Sequence, residues 1–466
     1  MFEVRKIIVV VVLHVLLLSS VAHASFDKAM AIYGEGRFEE AKVAFETLAA
    51  IGDRSSLFNL GVMYYRGEAV ERDPVEAYVL MKIANDGFNE QSFTRLSNSV
   101  FSQFNADQKI EADRRFSELN PVYSISAIKA NIFPKPLSDE DCPPDIQPIR
   151  KVAPRYPKSE NRSGRMGLTH LEFTISPEGY PRDLAVTRST NYTFTKTSVR
   201  AAKQFLYQPP IDQKPIYGHR TVFIYQLKNT ELGTSKITRE LSDLESAASD
   251  GDVIAQYRYA SRLNTFRYFK SYLKKIDLQY KTANEWFTKS AENGLPHAQF
   301  EIGRNMLQGR GCEIDVVNGY KWINAAAIGG YSPAQKALAQ SALSKSELSV
   351  DRSMAAMAWL KNAAQDEDYA ARLLLAWELS TSNIKELRNG EEALRLLDND
   401  PEDYFDEVRI METQAAAYAE IGNYKKAVKL QKKAKKMAQK LDWDIPLISE
   451  RLGLYQHNEV YRGSYY

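Results

Sequence analysis

Tryptophan, glycine and alanine recur at one interval along this chain. Trp286 and Trp322 are 36 residues apart, as are Gly294 and Gly330, and Ala298 and Ala334. The segments between them read N-E-W-F-T-K-S-A-E-N-G-L-P-H-A-Q and Y-K-W-I-N-A-A-A-I-G-G-Y-S-P-A-Q. Trp359, with Ala363 and Ala364, continues the series one residue late, and Gly251 and Ala255 precede it across an insertion within Asn264 to Leu278. Each unit carries Ala and large apolar residues at three- and four-residue spacing, then Gly near a helix end, the pattern of a helix pair. Small Ala lets the two helices approach, and Trp and Tyr fill the wider gaps between pairs. On this reading Trp286 and Trp322 are equivalent core residues. One pair cannot bury its own apolar face, so the units must stack.

Ile302-Gly303, Gly309, Gly311, Tyr320, Trp322, Ala326-Ala327 and Gly330 resemble the Sel-like branch of the tetratricopeptide repeats. Leu60-Gly61, Tyr64, Gly67, Asp73, Ala77, Ala84 and Gly87 match the same pattern, with Tyr78 and Leu80 where that family usually has Trp. Gly36 to Ala41 resembles the turn of an ordinary tetratricopeptide unit, as do Ala415, Tyr418, Gly422, Tyr424, Ala427 and Ala434. The resemblance implies stacked antiparallel helix pairs with a protein-binding role, and carries no catalytic residue.

Between the helical blocks, seven prolines from Pro134 to Pro157 exclude a continuous helix and predict a linker. Leu171, Phe173 and Ile175 then alternate with polar residues, the period of a half-buried strand. A turn at Ser176 to Gly179, a strand near Leu184 to Thr187, an amphipathic helix over Phe194 to Tyr207 and a strand over Gly218 to Lys228 complete a β-β-α-β module. In this helix Phe194, Val199, Ala202 and Phe205 face the core, and the last strand is a candidate sheet edge. The run from Pro154-Arg155-Tyr156-Pro157 through Gly167, Phe173, Ser176 to Gly179, Ser189, Ala201-Ala202 and Phe205-Tyr207-Gln208-Pro209 resembles the TonB C-terminal domain over about 80 residues. In that family the domain grips the short N-terminal segment of an outer-membrane receptor, which adds as a strand. By resemblance, Arg155, Tyr156, Pro157, Thr221, Phe223 and Tyr225 are the partner-contact candidates. An alternating strand must also bury one face, and the sequence leaves the choice of face open.

Arg5 and Lys6, the apolar run Ile7 to Leu18, and the small residues Ala22 and Ala24 read as a secretory signal cleaved before Ser25. The expected location is therefore the periplasm, an uncleaved inner-membrane anchor being the alternative. Cys142 and Cys312 are too few for a disulfide framework or a cysteine-only zinc site, and the reading assigns them to different domains. Six scattered histidines offer no metal cluster, and the sequence contains no H-E-x-x-H, G-x-S-x-G, P-loop or G-x-G-x-x-G motif. No cofactor, metal or enzymatic activity is expected. A total charge of +2 argues against a nucleic-acid binder working by bulk charge. From Gln147 to Asn229, however, fourteen Lys or Arg stand against five Asp or Glu, a net of +9 that leaves −7 for the rest. Such a module suits anionic partners. Lys425 to Lys440 holds eight Lys and no acidic residue, with Ala427, Leu430, Ala434 and Leu441 as its buried stripe and the lysines on the wet side.

The expected layout is a signal peptide (1–24), Sel-like and tetratricopeptide (TPR) helical repeats (25–120), a Pro-rich linker (121–146) and a small α+β TonB C-terminal-like domain (147–230). Sel-like repeats (235–400), a TPR-like helix pair (401–455) and a tail (456–466) follow. Two functions remain open. One is a periplasmic interaction scaffold, accessory to TonB-dependent outer-membrane transport. The other is a structural cell-envelope scaffold that binds peptidoglycan or assembly proteins. Family transducers also carry a Ser and a His one helical turn apart in an uncleaved N-terminal helix. Here the residue four before His14 is Val10. As an extended polyproline chain the 24 residues from Pro134 to Pro157 would reach only about 75 Å, short for a periplasm-spanning arm.

Overall fold

The computed structural model describes residues 24–87, 90–227, 234–267, 273, 276–344, 349–365, 368–398 and 404–466. The signal segment up to residue 23 lies outside them. The chain forms two compact units, Met1–Pro143 with Gly233–Ala334, and Pro144–Leu232 with Gln335–Tyr466.

In the first unit the leading helices are α1 (Ala24–Gly34), α2 (Phe38–Ala49), α3 (Arg54–Arg66) and α4 (Pro74–Asn85). They continue as α5 (Gln91–Phe101), α6 (Ala106–Tyr123) and α7 (Ile125–Asn131). After the second unit's first segment come α10 (Thr234–Ser249), α11 (Val253–Phe266), α12 (Tyr280–Glu292), α13 (Pro296–Gln308) and α14 (Val316–Ile328).

Two pairs, α3–α4 and α13–α14, repeat the same local chemistry. Gly61 faces the Ala77 carbonyl and Gly303 the Gly319 carbonyl, where a Cβ would lie 2.8 and 2.6 Å from the oxygen. Glycine is what lets these helices close. Gly67 and Gly309 end the first helix of each pair in the left-handed region, at φ of 73° and 66°. Asp73 and Asp315 then cap the second helix, accepting from backbone N–H groups two or three residues on. Trp322 is completely buried, but Trp286 is only half-buried, edge-on to Tyr259 with the Lys289 ammonium 3.9 Å from its ring. The two are therefore not equivalent: α12 presents Phe287 inward instead.

The two blocks of helices are continuous in space, with α14 packed on α1 and α2. Ser25 is buried there, its hydroxyl donating to Gln299 Oε1 at 2.9 Å. Residues 121–146, read as a linker, hold the end of α6, the whole of α7 and an extended stretch docked on the repeats. The side chains of Asn318 and Trp322 donate to the carbonyls of Asn131 and Ile132 at 2.7 and 3.3 Å. Glu313 N donates to Lys135 O, Leu137 N to Gly311 O, and Tyr280 N to the Asp139 carboxylate. The stretch also brings Cys142 beside Cys312, with Gly311 N only 3.0 Å from Cys142 Sγ. The two cysteines belong to one unit, not to separate domains, and both are free thiols.

The second unit begins with β1 (Pro148–Arg150), α8 (Lys158–Arg162), β2 (Gly167–Ile175), β3 (Pro181–Ser189), α9 (Tyr192–Ala202), β4 (Leu206–Tyr207) and β5 (Ile216–Tyr225). Its antiparallel sheet has the order β3-β2-β5, and β1 pairs with β4 beside it. Leu171, Phe173, Ile175, Leu184, Phe194, Val199, Phe205, Phe223 and Tyr225 form one core between sheet and helix. The helix stops at Ala202 and not at Tyr207, since Leu206 and Tyr207 turn into β4.

Helices α15 (Ser332–Leu343), α16 (Val350–Gln365), α17 (Tyr369–Thr381), α18 (Gly390–Leu396), α19 (Glu407–Glu420), α20 (Tyr424–Lys440) and α21 (Pro446–Gln456) follow. α19, α20 and α21 pack consecutively as tetratricopeptide-like helices. Among the described residues, no helix is long and apolar enough to cross a membrane.

Candidate partner interface

The three-stranded sheet has two edges, and the chain treats them differently. At β3, Phe405 N donates to Leu184 O at 2.8 Å, Ala185 bridges to Tyr404, and the Phe405 ring joins the core beneath. That edge is closed by the protein's own backbone. Among the described residues no strand pairs with the outer edge of β5.

Backbone phase along β5 follows from its register. Leu168 exchanges hydrogen bonds with Thr190, on the β3 side of β2. Backbone groups alternate sides along a strand, so those of Gly167, Thr169 and Leu171 point to β5. Their partners there are Tyr225, Phe223 and Thr221. Val222 and Ile224 therefore turn their N–H and C=O groups outward, as a donor–acceptor row for an incoming strand. The Ile224 side chain is exposed on the sheet face away from the core.

Of the six expected contacts, Arg155 is exposed and Thr221 half-buried. The other four pack within the domain. Phe223 and Tyr225 lie in the core, and the Tyr225 hydroxyl bonds Thr197 and Ser198 at 2.7 Å each. Tyr156 donates its hydroxyl to Arg165 O at 2.6 Å and sets its ring against Phe194 and Tyr225. Pro157 is buried and precedes α8. Large aromatics gain more from burial than from solvent exposure, so Tyr156, Phe223 and Tyr225 pack on the domain core beside α9. Val222 and Ile224 hold the other phase of the strand, the choice that the sequence left open.

His170 and His219 point to opposite faces of the sheet and form no joint site. Burial, with Arg188 and Arg220 adding repulsion, pushes His170 down to about 4. His219 is buried against Phe173 and Tyr207. No described group of three or more His, Cys, Asp or Glu is placed to hold a metal ion.

Beneath the closed edge lies a buried ionic cluster. Arg182 on β3 donates to Asp406 at 2.8 Å, lies 3.5 Å from Glu412, and reaches the Tyr465 hydroxyl. Arg451 pairs with Glu412 at 3.0 Å, Gln431 donates to the same carboxylate, and the Tyr465 hydroxyl donates to its other oxygen. Arg409 lies 3.8 Å from Asp183 and stacks 3.1 Å from the centre of the Tyr465 ring. Tyr404 and Tyr466 donate to the two oxygens of Asp183 at 3.0 and 2.6 Å. Burial pushes the Asp406 carboxyl up, but Arg182 and the N–H groups of Arg409 and Asp183 outweigh it and hold the group below its usual value. Glu412 is held low in the same way by Arg451 and Arg182. Three guanidiniums thus face three carboxylates, and the last two tyrosines complete the set. Of the segment 456–466, read as a tail, the end from Gly463 to Tyr466 packs into this cluster, with Tyr465 buried. It also bonds Trp377 Nε1 through Gly463 O at 3.2 Å.

Two family models match parts of this architecture. Residues 152–225 match the family described as Gram-negative bacterial TonB protein C-terminal, and residues 54–87, 253–295 and 296–331 match the Sel1 repeat. The protein is a helical-repeat chain that carries a TonB C-terminal domain between Sel1 repeats. An uncharacterized protein of Neisseria meningitidis serogroup B is 34% identical over 97 residues, 21% of this chain and 20% of that protein. The match thus spans about a fifth of the relative's length. Among solved structures, a Sel1 repeat protein from Oxalobacter formigenes is 16% identical over 80% of this chain and 97% of its own, with a TM-score of 0.31. A protective antigen of uropathogenic Escherichia coli with an SLR fold is 15% identical over 94% of this chain and 73% of its own, with a TM-score of 0.34.

Proposed function

We propose that this protein is a periplasmic interaction scaffold whose TonB C-terminal domain takes up an extended segment of a partner along β5. The reading is of binding and not of catalysis. One observation carries it: β3 is closed by Tyr404-Phe405, whereas among the described residues no strand pairs with the outward backbone groups of Val222 and Ile224. Strand addition draws affinity from such backbone groups and selectivity from neighbouring side chains. The partner is the N-terminal segment of an outer-membrane TonB-dependent receptor, and the role is accessory to receptor-dependent transport. The buried cluster supports an accessory in preference to a motor-driven arm, because it fastens the domain to its own helices.

The test places a photoreactive side chain at position 224 of the full chain in cells and identifies what it captures. A receptor's N-terminal segment is expected. Val222→Pro should abolish capture while leaving the fold intact, since the lost N–H lies on the outer side of an edge strand. Capture of envelope assembly proteins alone, insensitive to Val222→Pro, would instead support the structural scaffold.

A further inference from the structure

Helix α20 has a side that the contacts among the described residues do not explain. It runs from Tyr424 to Lys440 and buries Ala427, Gln431, Ala434 and Ala438. At about 100° per residue, those four positions centre on one side. On the opposite side, within an arc of about 120°, fall positions 425, 426, 429, 432, 433, 436 and 440. Every one of these positions is Lys and every one is exposed. No other residue type interrupts the arc. Among the described residues none of the seven is in an ion pair, and the helix contains no acidic side chain. Lys426 alone has a partner, its ammonium 4.7 Å from the centre of the Tyr418 ring. The row is about 22 Å long at 1.5 Å per residue.

Seven like charges on one face repel each other, and within the protein only Lys426 over Tyr418 and Lys440 in the last helical turn gain from their positions. The composition also argues for the kind of partner. Protein interfaces are depleted in Lys and anchored by aromatic residues and Arg, of which this arc has none. Single-stranded nucleic acid is held by aromatic stacking, again absent. Lysine is a compact, freely rotating point charge, suited to a diffuse plane of phosphates and not to one geometrically defined anion. Clusters of four to eight such residues on an amphipathic helix read as docking sites for anionic lipid. We propose that the lysine face of α20 docks this protein on an anionic membrane surface through lipid phosphates. The proposal does not depend on the receptor-binding role of β5.

The test uses the full chain and sedimentation with vesicles of phosphatidylethanolamine and phosphatidylglycerol, against vesicles of phosphatidylcholine alone. Binding to the anionic vesicles only is expected, weakening steeply as salt rises, because exposed charges are screened over a Debye length. A Lys near an anionic surface contributes about 1 kcal/mol, or about fivefold in affinity. Lys432→Gln, Lys433→Gln and Lys436→Gln together should therefore weaken binding by about a hundredfold at constant melting temperature. Lys42→Gln, on a different helix, serves as the control and should change nothing. Failure to bind anionic vesicles at low salt would overturn the proposal. So would unchanged binding by the triple variant, or competition by inorganic phosphate beyond its ionic-strength effect. Binding to duplex DNA without binding to vesicles would assign the face to another polyanion and refute the membrane role.

Discussion

Replacing Arg182 with Met should destabilise the second unit by about 3–5 kcal/mol, the usual cost of removing one member of a buried ion pair. The methionine keeps most of the aliphatic stem, so the loss is electrostatic more than steric. Glu412 would still have Arg451, Gln431 and the Tyr465 hydroxyl. Asp406 would keep only the N–H groups of Asp183 and Arg409, each at 2.9 Å. The damage should therefore centre on Asp406, left charged and buried without its cation. Arg182→Met with Asp406→Asn removes the uncompensated charge while an amide oxygen still caps α19, so the double variant should be more stable than Arg182→Met alone. Hydrogen exchange resolved by peptide is the assay. Protection should fall across β3 and α19 and stay unchanged in α13. The pH dependence has a definite sign. Both carboxylates have folded-state values below their unfolded ones, so their contribution is full above the normal carboxylate range, about pH 4, and is lost as pH falls further. The gap between wild type and Arg182→Met should close on acidification. Wild-type protection in Arg182→Met, or a double variant no more stable than the single one, would refute this account of the cluster.

Trp322→Ala should cost about 3–5 kcal/mol in urea unfolding of the first unit, and Trp286→Ala less than half of that, because only the first empties a fully enclosed site. Equal losses would restore the equivalence suggested by their spacing. Burial raises Glu378 to about 7 despite Arg409 nearby. A raised folded-state value means stability that is full below the unfolded value and lost as pH rises through 7. Glu378→Gln should therefore raise the melting temperature at about pH 8 and leave it unchanged near pH 4. Cys312, pushed up to about 12 by burial and by Cys142 nearby, should react with iodoacetamide far more slowly than the half-buried Cys142. Equal rates measured by mass spectrometry would mean that the repeat opens readily there.

Local chemistry determined what was legible in the sequence. A helix pair needs glycine where its backbones touch and an aspartate where its second helix starts, so Gly61, Gly303 and Asp73 announce the repeat without any knowledge of the fold. Alternation did the same for β2, whose ends fall at Gly167 and Ile175 as the pattern of Leu171, Phe173 and Ile175 implies. Long-range pairing had no such signature. Arg182 and Asp406 are 224 residues apart and look like ordinary surface charges. Tyr465 and Tyr466 look like the end of a tail. Only the tertiary structure put the charges together in a dry site, where pairing is obligatory, and closed one sheet edge with Tyr404-Phe405. It also set the phase of β5, because a strand's two faces are interchangeable until a core lies on one of them. Phe223 and Tyr225 went to that core, and the outward-facing backbone fell to Val222 and Ile224.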